Sequence, residues 1–191
     1  AAPGLKEVAA LAHALRVVRG RAGSKAPSVD VVVLDAPATG HGVSLLTAPQ
    51  LVADVIHDGP FGRMGAEVAS FVADPQRCGI VLATAAEEMP LQEAVELIES
   101  LSARLARSPE LVIVNGLYPG PVSDDEQSAT APALQLWRRR RRVNERELRR
   151  LDAAWPGPRV ELPLLPLDSG CELAETLGDT LAGKLVEHAW S

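Results

Sequence analysis

Seven consecutive residues, Asp35-Ala36-Pro37-Ala38-Thr39-Gly40-His41, place an acid, several small side chains and a glycine directly after the apolar run Val29 to Leu34. An acid at the end of a strand can hold a magnesium ion through water, because magnesium keeps much of its hydration and takes few protein carboxylates. The small residues behind it let backbone approach a phosphate. Gly40, lacking a side chain, can offer its N–H to a terminal phosphate and move when that phosphate leaves. A blander reading stays open beside this one: Asp35 caps the next turn and Gly40 permits a bend. Either role requires an element that fixes where Asp35 stands.

The run Val29 to Leu34 is apolar on both faces, as expected for a central strand of a parallel sheet with Asp35 at its C-terminal end. Ahead of it, Val8, Leu11, Leu15 and Val18 recur every three or four residues and predict an amphipathic helix over Leu5 to Arg19, followed by a loop over Gly20 to Ser28. Thr47 to Ala73 predicts two helical pieces broken near Gly59-Pro60. Strand, helix and strand follow at Gly79 to Thr84, Leu91 to Ala106 and Leu111 to Val114. A loop over Pro119 to Pro132 leads to a helix over Ala133 to Ala154, stopped by Pro156-Gly157-Pro158. Val160 to Leu164 is a last strand, and Leu173, Leu177, Leu181 and Leu185 mark a closing helix over Leu173 to His188. Alternating strands and helices give an α/β fold, a mostly parallel sheet flanked by helices on both faces. Ligands of such sheets sit at the carboxyl ends of the strands, here Asp35 to His41, Thr84 to Glu88, Asn115 to Tyr118 and Leu164 to Ser169.

Composition narrows the classes. At 191 residues and 47% hydrophobic content the chain suits one domain with a substantial core. A net charge of −6 argues against a nucleic-acid or anionic-membrane surface spread over the whole molecule. The run Arg138 to Arg142, with Arg146, Arg149 and Arg150, points in every direction on a helix and has Glu145, Glu147 and Asp152 as partners, so it reads as a solvated face and not a nucleic-acid site. Cys78 and Cys171 are too far apart for a CxxC pair or a zinc cluster, which predicts buried, inert thiols and a reduced, cytoplasmic setting. His41 reads as a local packing or hydrogen-bonding residue, His13, His57 and His188 as surface or boundary residues, and Trp137, Trp155 and Trp190 as packing anchors. Thr84 and Glu87-Glu88, at a strand terminus, read either as groups that approach a nucleotide across a dimer interface or as the start of a helix. No apolar run reaches the roughly 20 residues needed to span a bilayer. The absence of an initiator methionine before Ala1-Ala2-Pro3-Gly4 is expected of a fragment or trimmed chain.

Four segments in order give a resemblance. Asp35, Ala36, Pro37, Thr39, Gly40 and His41 resemble the switch II segment Asp-Thr-Ala-Pro-Thr-Gly-His of the arsenite-pump and tail-anchored-protein-targeting ATPase family, a P-loop class, with one residue fewer between the Asp and the Pro. Asp74-Pro75, the strand Gly79 to Thr84 and Glu87 to Ala94 are similar to the family's next strand and helix entry. Leu111 to Pro119 resembles the strand whose terminal Asn binds adenine, and Leu162-Pro163-Leu164-Leu165 before Leu167-Asp168-Ser169-Gly170 looks like the adenine-side loop.

The resemblance implies a Mg2+- and ATP-dependent ATPase in which Asp35 supports the water shell of the metal, Thr39 and Gly40 report the terminal phosphate, and Asn115 with Leu162, Pro163 and Leu164 holds the base. It implies a homodimer, or a heterodimer with a related ATPase, whose switch II couples nucleotide state to a client or membrane partner in anion transport or membrane-protein targeting. The family's Gly-rich phosphate loop with its Lys, and the switch I Asp, have no counterpart in residues 1–191. Residues 1–191 are therefore expected to be the C-terminal portion of one P-loop ATPase-like domain, inactive alone. The alternative is a non-hydrolysing regulatory or scaffold subunit that pairs with an active relative.

Overall fold

The computed structural model describes residues 5–20, 29–36, 40–56, 58–120 and 132–189. They form two units, Ala1–Gly79 with Leu97–Ser108 and Ile80–Glu96 with Pro109–Ser191.

The first unit is helical. Its elements are α1 (Leu5–Arg19), α2 (Gly40–Val55), α3 (Gly59–Ala73) and the C-terminal half of α4 (Glu88–Leu105). The expected stripe of α1 is buried at Val8, Leu11 and Leu15, though Val18 is exposed. Leu11, Ala12 and Leu15 pack with Leu45 of α2 and Val68 and Val72 of α3, while Val8 packs with Ala48 and Val52. The two helices expected between Thr47 and Ala73 are present, but α2 begins seven residues earlier and takes in Gly40 and His41. Leu45, Ala48 and Val52 are buried on one side of α2 and Val43 is buried on the opposite side of its first turn, so packing holds the helix from its start. α2 and α3 approach closely at Gly65, where a Cβ would lie 3.1 Å from Val52 Cγ1 and 3.2 Å from Ala53 N. Arg107, 7% exposed, closes the other end of α3 by donating to the carbonyls of Val72 at 2.5 Å and Cys78 at 2.8 Å. Val72 lies in the last turn of α3, whose carbonyls have no intrahelical donor.

The strand expected over Val29 to Leu34 is not formed. Residues 29–36 carry neither helix nor strand, and Val31 and Val33 are 74% and 89% exposed. A parallel strand is stable only where neighbours on its sheet complete its backbone hydrogen bonds, and residues 29–36 pair with none of the three strands in the sheet found among the described residues.

The second unit is the α/β part, consisting of β1 (Val81–Ala85), the N-terminal half of α4, β2 (Leu111–Leu117), α5 (Pro132–Ala154), β3 (Arg159–Pro163) and α6 (Cys171–Ala189). The three strands pair in parallel in the order β1-β2-β3. Leu82 pairs with Val112 and Val112 with Arg159, whereas Ile113 pairs with Val160. Buried Leu82, Val112 and Val114 therefore lie on one face of the sheet and buried Val160 on the other, as in a parallel sheet covered on both sides. α5 buries Leu148 and Leu151. α6 contacts β3, yet its leucines Leu173, Leu177 and Leu181 are only half-buried and Leu185 is exposed. The thiols depart from expectation: Cys171 is exposed at the start of this surface helix, and Cys78 is half-buried in the turn after α3. Among the described residues, no helix is long and apolar enough to cross a membrane.

Candidate functional site

At the carboxyl ends of the three strands lies an open cleft of about 480 Å³, a volume within the range of small-ligand sites. Four parts of the second unit build it. The end of β1 and the turn after it give Thr84, Ala86 and Glu87; the end of β2 gives Asn115, Gly116 and Tyr118; Asn144 comes from α5 and Leu164 from the residue after β3. Each lip has its own anchorage. Thr84 Oγ1 donates to the carbonyl of Pro90 at 3.0 Å, fixing the β1 end to the first turn of α4. The Leu164 N–H donates to the Leu117 carbonyl at 2.7 Å, holding the chain leaving β3 beside the end of β2.

The placement of Asn115 follows from its neighbour. Val114 pairs with Glu161 and Leu117 with Pro163, so two residues of β2, Asn115 and Gly116, stand opposite one of β3. That is a β-bulge, a device that bends a strand and re-aims its side chains. Gly116 takes φ +72°, a conformation that glycine adopts without steric cost. The Gly116 N–H donates to Asn115 Oδ1 at 2.9 Å, which orients the carboxamide and leaves its Nδ2 group to act as a donor.

The cleft is nearly free of charge. None of its lining residues is Lys or Arg, and its one acid, Glu87, stands at the rim with Arg140 3.8 Å away. Such a wall offers hydrogen bonds and apolar contact but nothing to neutralise a phosphate. A second hollow of about 590 Å³ is lined only by the consecutive residues Pro166 to Glu172 and carries Asp168 and Glu172. Its carboxylates repel anions and its lining comes from one segment, so the strand-end cleft is the better candidate.

Of the residues singled out in the sequence, Asn115 and Leu164 are brought together in this cleft. Leu162 is buried within β3, and Pro163 ends that strand opposite Leu117; neither lines the cleft. Asp35 and Gly40 belong to the first unit: Asp35 is exposed, and Gly40 opens α2, where a first-turn N–H has no intrahelical acceptor. Thr39 lies outside the described residues. Among those residues, no three His, Cys, Asp or Glu side chains converge on a metal position. Sequence reasoning missed Asn144. Its signal is a lone carboxamide on the buried side of an arginine-rich helix, four and seven residues before buried Leu148 and Leu151.

No protein-family profile matches the chain. It is similar to the ATPase BagA of Mycobacterium tuberculosis, with 31% identity over 130 residues, and equally to a Mycobacterium bovis protein whose name marks it as a provisional ATPase. The match takes in 68% of this chain and 38% of each relative, so the matched part spans well under half the length of the proteins it resembles.

Proposed function

We propose that this chain is the base-recognising part of an ATPase of the arsenite-pump and tail-anchored-protein-targeting class. The observation that carries the reading is the nearly uncharged cleft at the strand ends, lined by both Asn115 and Leu164. A purine needs in-plane hydrogen-bonding partners and apolar contact with its faces, and this wall supplies both. The ATPase names of the mycobacterial relatives support the nucleotide class, and the order of the four sequence segments supports the finer family.

In this reading Asn115 recognises the adenine edge and Leu164 lies against the ring, carried into place by Leu162 and Pro163 of β3. Asp35 is an exposed carboxylate suited to the water shell of Mg2+, although one acid alone does not make a metal site. Thr39 and Gly40 sense the terminal phosphate. Neutralising the phosphates requires cations that the cleft does not contain. The working protein pairs with a second copy or a related ATPase and transmits its nucleotide state to a client or membrane-bound partner.

The test is Asn115→Ala in the full-length protein, followed by calorimetric ATP binding across a magnesium titration. Losing one or two hydrogen bonds should weaken ATP about tenfold, with the magnesium dependence unchanged. Unaltered ATP affinity would count against the base assignment.

A further inference from the structure

The arginine-rich helix α5 has no part in the reading above, yet its contacts converge on the cleft. The cleft has two lips, Ala86-Glu87 after β1 and Asn115 to Tyr118 at the end of β2, and α5 touches both. Asn144, 4% exposed, donates from Nδ2 to the Ala86 carbonyl at 2.9 Å and accepts from the Tyr118 N–H on Oδ1 at 3.0 Å. Arg141 donates to the Tyr118 carbonyl at 2.7 Å and is itself held by Glu145 at 3.1 Å. The ring of Trp137 meets that of Tyr118 edge to face, with centroids 5.9 Å apart. Trp137, Arg141 and Asn144 are spaced by four and three residues and so share one side of a single helix.

We propose that Asn144 is a positioning residue that sets the gape of the base cleft by tying its two lips to one rigid helix. The proposal rests on the base-binding reading and names what governs that subsite. A carboxamide suits the task because it donates and accepts within one plane. Removing it strands a backbone carbonyl on one lip and a backbone N–H on the other, both of which must move to reach water. The phosphates of a bound nucleotide have no counterpart in this arrangement, so the effect falls on the nucleoside.

This separates a positioning role from a merely structural one. The full-length protein, as wild type, Asn144→Leu and Asn144→Asp, is titrated with ATP and with inorganic tripolyphosphate, which has the phosphates without the base. Asn144→Leu loses both hydrogen bonds and should weaken ATP by about tenfold or more while leaving tripolyphosphate within about twofold. Asn144→Asp keeps the accepted bond, loses the donated one and should fall between; if the leucine variant does not fold, the aspartate variant decides by the same ratio. Parallel loss of both ligands, or no change in either, overturns the clamp. Should wild type bind ATP no more tightly than tripolyphosphate, the base-binding reading itself fails and the clamp with it. A wild type that prefers ATP, with a preference unaffected by either variant, sinks the clamp alone.

Discussion

Asn115 reaches the cleft because the next residue is glycine. At φ +72° any side chain bearing a Cβ is strained by roughly 1–2 kcal/mol, and a branched one costs more, although the space around Gly116 is open. The strain is relieved if the bulge flattens, which would turn the Asn115 carboxamide away from the cleft. Gly116→Val is therefore expected to destabilise the protein by about 2 kcal/mol and to weaken ATP as much as Asn115→Ala does. Chemical denaturation and ATP titration of the same variant check both. Asn115 could be picked out in the sequence because it ends an apolar run and chemistry gathers at strand ends. The bulge could not, since it is defined by what β3 places opposite, and Asn144 was marked only by its place four and seven residues before Leu148 and Leu151, since one asparagine among arginines has no distinguishing type. Its role arises from two backbone groups 58 and 26 residues away in the chain.

The elements differ in how tightly they are held, and glycine substitutions read out the difference. In α3, a Cβ at Gly65 would press on backbone as well as side-chain atoms of α2, at 3.1 to 3.3 Å. Gly65→Val should cost about 2 kcal/mol or more, the usual scale of overpacking. In α6, a Cβ at Gly178 meets nothing within 4 Å, and none of residues 171–186 is buried. There Gly178→Ala should stabilise by up to about 1 kcal/mol through helix propensity alone. Opposite shifts in melting temperature are the expected result, and two shifts of the same sign would refute the contrast. Every helix predicted from periodicity is present, because a helix satisfies its own backbone. The three strands of the α/β unit were equally plain as short apolar runs bounded by turn residues. Val29 to Leu34 met the same criteria and formed no strand, since a strand depends on partners that its own residues do not specify. The arginine run likewise divides by position, with Arg138 buried, Arg141 against the Tyr118 carbonyl, and Arg139, Arg140 and Arg142 exposed.

For the whole molecule, the excess of negative charge fits the cleft, where a neutral wall and one acid leave nothing to hold a polyanion by charge. The α/β class was legible because alternation of strand and helix is a pattern of order; the division into a helical unit and a sheet unit was not, because it depends on which helices share a core. One feature of the helical unit governs handling. Residues 29–36, outside helix and strand and with Val31 and Val33 74% and 89% exposed, offer an apolar stretch open to pairing with the same stretch in another copy. The 191-residue chain should scatter light increasingly with concentration and bind a hydrophobic dye. Val33→Lys should suppress both while leaving the melting temperature unchanged, since exposed substitutions move stability by no more than about 0.5 kcal/mol. That outcome would make two exposed valines, and not the overall charge, the determinant of how the 191-residue chain associates.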